Sequence, residues 1–438
     1  MLKTNQIVLA FAYVVSLLFL LFFVERSQFL LLISVFTVGF VSYAQSLKNV
    51  PSLSLLITLF AITRVASFFV LPHLSDDYYR FLWDGMLTVS GGNPYLNVPS
   101  NEVLHELPIH ARTWLETMNS PNYYSVYPAF LQWIFAAMYW IGGSNELLGI
   151  NVFRSFVLVL ECFAFWLASK SVTNTGKRLY ACLPWLLLNP LYVLETFGNI
   201  HAEALVVLLL LLAYLLFEKK KLIYSASLYC LAAATKLLPL IAMPLIIRKL
   251  TIKQLIVFGV TSVILLAVIS YRFIELAWIS NQLNSISLYF KNFEFNASVY
   301  FLVRSIGFRF VGYNTIQTIG TVTPFVVLFV TFYLQWFKKW RTYQVLKPLY
   351  YSVFIYFILS SVVHPWYAIY LIFPAVIVNS SAGLSWSFLI MFSYVFYQVG
   401  DGTIYYLTIT AEYTFLFFAF IFEKRLNRWF NFRQSISF

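Results

Sequence analysis

Three of the four aspartates in this 438-residue chain fall within one short stretch, SDDYYRFLWDG, as Asp76, Asp77 and Asp84; the fourth is Asp401 in QVGDGT. Carboxylates held close together raise one another's proton affinity, which suits a general base. A doubled aspartate also suits a cation, and although no divalent-metal motif compels one, Asp76 and Asp77 are the pair that would hold it. If the stretch is helical, Asp77, Arg80 and Asp84 recur at i, i+3 and i+7 on one face, with Trp83 beside them. Clustered charge of this kind points to catalysis or cation binding rather than to a loop.

Other polar groups stand out against a background in which only 11% of residues are charged. ETFGNIHAEAL places Glu195, Asn199, His201 and Glu203 together, either as helix caps or as a ligand site. Arg64, Arg154 and Lys236 sit within apolar runs, where each needs a partner or an aqueous cavity. Glu161, seven residues on, is the expected structural partner of Arg154. Lys236, in ATKLLP, suits an anionic headgroup or snorkels along the apolar surface. Arg304, in FNASVYFLVRSIG with Asn296, suits phosphate, because a guanidinium grips phosphate oxygens bidentately. His364, Trp366 and Tyr367 in HPWYAIY, and Tyr127 in NYYSVYPAF, fit an interfacial aromatic belt and fit contacts to sugar or phosphate equally. GGNPY (91–95) reads as a turn.

The elements that must position these groups are set by composition. With 61% hydrophobic residues, among them 45 Phe, 30 Tyr and 12 Trp, a water-soluble domain would lack the polar surface to cover itself. The expected fold is all-α, a polytopic transmembrane bundle, since unpaired backbone is prohibitive in lipid. Apolar stretches near 6–24, 28–46, 53–72, 124–142, 147–169, 200–217, 254–273, 313–337, 345–362, 365–380, 383–399 and 403–422 suggest about twelve full spans. The first is a membrane helix rather than a cleaved signal, because Glu25, Arg26 and Ser27 follow it. Pro184, Pro190, Pro239 and Pro244 mark 179–195 and 223–247 as short broken or re-entrant helices.

Basic runs at 218–221, 247–253, 338–341 and 423–428 place those loops, and both termini, in the cytoplasm by the positive-inside rule; KSVTNTGKR (170–178) conflicts with this. Residues 73–123 become a large first extracytoplasmic loop with amphipathic helices along the membrane surface, and 274–312 a second. All four aspartates and all five histidines then share the outer face. The chain reads as one membrane domain, 1–438, with accessory spans in 1–52, a catalytic core in 53–250 and C-terminal spans in 251–438. Its formal charge of +12 is scattered between apolar runs rather than gathered into a stripe, so no nucleic-acid partner is expected. Cys162, Cys182 and Cys230 lack metal or redox spacing and read as packing residues.

In this order SDDYYRFLWDG, GGNPY, the YP opening the next span, LNPLYVLETFGNIHAEAL, AAATKLLPLIAMPLI, FEFNASVYFLVR and HPWYAIY make the chain similar to the GT-C superfamily of integral-membrane glycosyltransferases. It resembles the bacterial polyprenyl-phosphate-mannose-dependent mannosyltransferases and the related GPI mannosyltransferases. The resemblance implies an outward-facing site in the plasma (inner) membrane, a polyprenyl-phosphate sugar donor, a glycan or glycolipid acceptor, and inverting transfer of a sugar, mannose by preference. It also implies a base in the first loop at Asp77 or Asp76, with Arg304 and His364 toward the phosphate. A transporter or flippase of a lipid-linked saccharide is the alternative, with Lys236 and the broken helices in its favour.

Overall fold

The computed structural model describes residues 4–49, 51–102, 104–338 and 346–430. Its helices run α1 (Thr4–Phe23), α2 (Phe29–Lys48), α3 (Leu53–Ser67), α4 (Asp77–Val89), α5 (Ile109–Thr117), α6 (Ala129–Gly142), α7 (Glu146–Ser169), α8 (Asn174–Leu187), α9 (Pro190–Val193), α10 (Glu203–Glu218) and α11 (Leu222–Ala233). They continue α12 (Met243–Lys249), α13 (Ile252–Ser270), α14 (Trp278–Lys291), α15 (Val299–Val311), α16 (Ile316–Phe332), α17 (Lys347–Leu359), α18 (Ile369–Val378), α19 (Ser381–Leu389), α20 (Phe396–Val399), α21 (Thr403–Ile421) and α22 (Glu423–Phe430). No strand forms among the described residues; Phe295 and Val362 make an isolated parallel bridge. The all-α expectation holds.

Among the described residues seven helices are long and apolar enough to cross a membrane: Thr4–Phe23, Phe29–Lys48, Glu146–Ser169, Ile252–Phe273, Ile316–Phe337, Ser381–Val399 and Thr403–Ile421. The chain therefore reads as an integral membrane protein. Helix length does not give twelve full crossings. The stretches expected at 53–72, 124–142, 345–362 and 365–380 form the shorter helices Leu53–Ser67, Ala129–Gly142, Lys347–Leu359 and Pro365–Val378. Local causes are visible. Pro128, in extended conformation, delays α6 until Ala129, and α17 stops at Ser360, where the chain extends to pair with the backbone of Phe295. The stretch expected at 200–217 is Glu203–Glu218, set off by a break from Pro190–Gly198.

Both expected interruptions occur. Pro190 opens a short helix that continues as a π-helical turn, Leu194–Gly198. Pro239 lies in a 3-10 turn, Leu238–Ala242, and Pro244 in the first turn of α12, positions where a missing N–H costs nothing. Pro184 departs from expectation by sitting inside α8. Of the basic run at 338–341, only Lys338 lies within the described residues.

The chain forms two compact units, neither continuous in sequence: Met1–Ser67 with Ala168–Gly198 and Phe290–Phe438, and Phe68–Leu167 with Asn199–Tyr289. In the first, Gly39 of α2 lets Ser16 of α1 approach to where a Cβ would lie 3.2 Å from the serine Cβ. In the second, α4 packs on α6 through Gly85, where a Cβ would sit 2.1 Å from the Phe135 carbonyl oxygen. Only glycine permits that crossing. Within the expected first loop, α4 is thus largely buried, whereas α5 buries Ala111, Trp114 and Leu115 on one side only.

Candidate active site

The second unit gathers ten of the candidate residues. The approach to Asp76 and Asp77 is fixed first by backbone. Beyond α3 the carbonyls of Phe68 and Val70 leave helical register, and α7 supplies their donors: Asn151 Nδ2 reaches Phe68 O at 2.9 Å and Arg154 Nη1 reaches Val70 O at 2.8 Å. The intramembrane cation Arg154 thereby holds the strand of chain that leads to the acidic pair. Asn199 Oδ1 accepts from the Leu74 amide at 3.3 Å, so the ETFGNIH segment grips the same approach.

Helix α4 begins at Asp77, with Asp76 just outside it. A carboxylate in the first turn suits the positive end of the helix dipole. The Asp77 side chain is 19% exposed and its two oxygens differ: Oδ1 accepts from Asn119 Nδ2 at 2.7 Å, while Oδ2 lies 3.5 Å from His201 Nε2. His201 is buried, and its Nε2 is also 3.2 Å from Ser75 Oγ, which in turn accepts from the Asp77 amide. An oriented, partly open carboxylate beside an imidazole is suited to taking a proton from a bound hydroxyl.

Two residues beyond His201, Glu203 opens α10, fully buried. One of its oxygens is ion-paired with Lys236, whose side chain is 24% exposed. The other, Oε2, is buried with no hydrogen-bond partner among the described residues. A buried carboxylate oxygen left in this way favours an incoming donor such as a sugar hydroxyl.

Arg80 and Asp84, on the same face of α4, form a buried pair. Arg80 Nε donates to Asp84 Oδ1 at 2.7 Å with both side chains almost fully buried, and Arg80 Nη1 donates to the carbonyls of Ser120 and Tyr123 at 2.8 and 2.9 Å. Asp84 Oδ2 accepts from Gln132 Nε2 at 3.1 Å, which also reaches Ser125 Oγ. This buried pair braces the 118–125 turn, and with it Asn119, against α4 and α6. Trp83 is likewise 1% exposed, so its contribution is packing. Tyr127 stands on the edge of this brace, its ring against Phe81 and Phe135 and its carbonyl accepting from Tyr95 at 2.6 Å. GGNPY acts as the expected turn, Gly91 having a φ of +92°, and Asn93 ties it to the Phe273 carbonyl at 3.1 Å.

The remaining candidates lie in the first unit. Glu195, fully buried, accepts from Tyr394 at 2.7 Å. Asn296 adopts a left-handed φ of +47°; its amide nitrogen donates to the Tyr405 hydroxyl at 2.7 Å and its side chain to Glu412 at 3.3 Å. His364 is stacked between Phe295 and Trp366, at 4.8 and 4.4 Å, with Tyr367 edge-on. Arg304, expected as a phosphate binder, forms an ion pair with Glu294 and donates to Tyr406 at 3.1 Å. Burial lowers its pKa, but the Tyr406 contact and the Glu294 charge outweigh this and raise it, so the guanidinium stays charged. Burial and the hydrogen bond to Glu294 push the Tyr300 hydroxyl upward as well.

Asn119, Ser75, Gln132, Glu294 and Glu412 were not singled out from the sequence. Ser75 and Glu294 lie inside motifs already marked, SDD and FEFN. Asn119 and Gln132 carry no local signal, because the aspartates they reach are more than 40 residues away. No cluster of three or more metal-ligating side chains occurs among the described residues.

A family model described as alpha-(1->6)-mannopyranosyltransferase, N-terminal domain (MptA/B family), matches residues 14–252, more than half of the chain. The match includes every candidate from Asp76 to Lys236; Asn296, Arg304, His364, Trp366 and Tyr367 fall beyond it. No curated protein matches, and no solved structure does.

Proposed function

From the premise that the chain belongs to the MptA/B family of alpha-(1->6)-mannopyranosyltransferases, we propose that it transfers mannose from a polyprenyl-phosphate donor to a mannose-bearing glycan or glycolipid on the extracytoplasmic face of the plasma membrane. The acceptor hydroxyl loses its proton to Asp77 as its oxygen bonds to the anomeric carbon. The bond from that carbon to the phosphate oxygen breaks, and polyprenyl phosphate leaves with the electron pair. Inversion to an α product requires a β-linked donor.

The observation that carries this reading is the Asp77 carboxylate: partly open, with Oδ1 held by Asn119 and Oδ2 turned to His201. Asp76, adjacent and partly exposed, is the rival base. The unpartnered Glu203 oxygen supports a contact to a sugar hydroxyl. Lys236 is the proposed phosphate cation of the unit that holds Asp77; Arg304 and His364 stay phosphate candidates by sequence and resemblance alone. Developing charge on a departing phosphate makes such cations the largest electrostatic contribution expected. Asp76 with Asp77 are the residues that would hold a divalent ion. Purified protein supplied with donor and acceptor should form mannosylated product, and should do so roughly 10²–10⁴-fold more slowly in Asp77→Asn while folding normally.

A further inference from the structure

Arg64 was singled out as an intramembrane cation, and the proposed reaction gives it no task. It is 1% exposed and donates to the Leu187 carbonyl. Its surroundings lie at the end of α8. Here the amide of Leu188 closes on Pro184 O and that of Asn189 on Leu186 O, each at 3.1 Å. Asn189 would be the helical partner of Trp185 O, and Leu191, the partner of Leu187 O, is diverted to the Asn189 side chain at 2.9 Å. The carbonyls of Trp185, Leu187 and Leu188 thus need other donors in an apolar interior.

Each carbonyl receives one, from three successive helices. Tyr43 of α2 donates to Trp185 O at 2.5 Å, Arg64 of α3 to Leu187 O at 2.7 Å, and Tyr13 of α1 to Leu188 O at 2.7 Å. Arg64 also reaches past the break. Its guanidinium lies over Phe197 at 4.5 Å and Tyr192 at 5.7 Å, with Phe60 of its own helix at 4.6 Å. Leu21 of α1 closes the far end, where a Cβ on Gly198 would lie 3.0 Å from its Cδ2. A planar guanidinium can donate in its plane while offering its face to rings, which an ammonium cannot.

We propose that Arg64, with Tyr13 and Tyr43, is the positioning residue that fixes the path of Asn189–Gly198, the segment that carries the ligand-site candidate Glu195. The helices before the acidic motif are then part of the working scaffold rather than accessory spans. The effect on turnover rests on the proposed mannosyl transfer; the effect on the segment does not.

The test uses the full chain in detergent or nanodiscs. Hydrogen exchange of residues 189–198 should quicken about tenfold or more in Arg64→Met and in the Tyr13→Phe/Tyr43→Phe pair, with residues 77–89 unchanged, and Arg64→Lys should recover only part. Unchanged exchange at 189–198 in both variants overturns the proposal, whether or not the protein transfers mannose. If Arg64→Met fails to fold, the tyrosine pair, which removes only two hydroxyls, decides. Kinetically, Arg64→Met combined with Glu195→Gln should lose no more kcat than the worse single variant, because both act on one group. Losses that multiply assign Arg64 a general structural role and refute its action through Glu195.

Discussion

Replacing Asp77 by asparagine removes a base while leaving an amide oxygen of the same reach. Asn119 Nδ2, now 2.7 Å from Oδ1, keeps an acceptor, so the 118–125 turn and α4 should hold their positions. What is lost is the oxygen that faces His201 at 3.5 Å and takes the acceptor proton. A positioned general base contributes roughly 10²–10⁴-fold, or about 2.7–5.4 kcal/mol at ~1.36 kcal/mol per decade. The loss should appear in kcat, with donor KM and thermal midpoint close to wild type, since Asp77 acts on a proton in flight rather than on donor binding. The assay is transfer from polyprenyl-phosphate mannose to a mannoside acceptor by purified protein, followed as labelled product. Asn119→Ala should give a smaller fall, because the carboxylate remains but is no longer oriented. If Asp76→Asn and Asp77→Asn both turn over within about threefold of wild type, no general base of the expected size resides in this motif and the reasoning fails.

The Arg80–Asp84 pair predicts a loss of stability: Asp84→Ala strands a buried guanidinium and should cost ~3–5 kcal/mol by thermal or denaturant unfolding, while an Arg80→Met/Asp84→Leu double variant recovers much of it. A destabilisation well below ~1 kcal/mol would show the brace to be dispensable. Lys236→Met should likewise destabilise by leaving Glu203 uncompensated; adding Glu203→Gln should restore stability without restoring transfer, and recovery of both would make the pair purely structural. Cysteines placed at Glu116 and Leu276, both exposed, should react with a membrane-impermeant maleimide on intact cells. Reaction only after permeabilisation would put the site on the cytoplasmic face.

Much of this architecture was legible because two physical constraints leave traces in sequence. Lipid forces apolar runs into helices, so the all-α bundle and the breaks at Pro190 and Pro239 were readable. Scarce charge in an apolar chain marks groups that need partners, and among those so marked Asp77 lies beside His201 and Glu203 pairs with Lys236. What escaped depends on distance along the chain. Span lengths were overestimated because an apolar run continues through Pro128 or the extended 360–363 segment, where the helix does not. The spacing of Arg80 and Asp84 signals only a shared helix face; whether that face looks outward or toward Gln132 is decided by α6. That Glu294 pairs with Arg304, ten residues on, is likewise decided only once the intervening chain turns. Arg64 announced a need for partners, yet nothing local revealed that they include the Leu187 carbonyl and the rings of Tyr192 and Phe197.

The central claim is mannosyl transfer, and the most direct measurement is the fate of the donor in proteoliposomes. Polyprenyl-phosphate mannose labelled in the sugar and an α-mannoside acceptor should give one α-(1→6)-linked mannosyl product for each polyprenyl phosphate released, at a rate roughly 10²–10⁴-fold lower with Asp77→Asn. Intact donor that merely changes leaflet in the presence of the protein, with no glycosidic product, would contradict the account and identify a flippase.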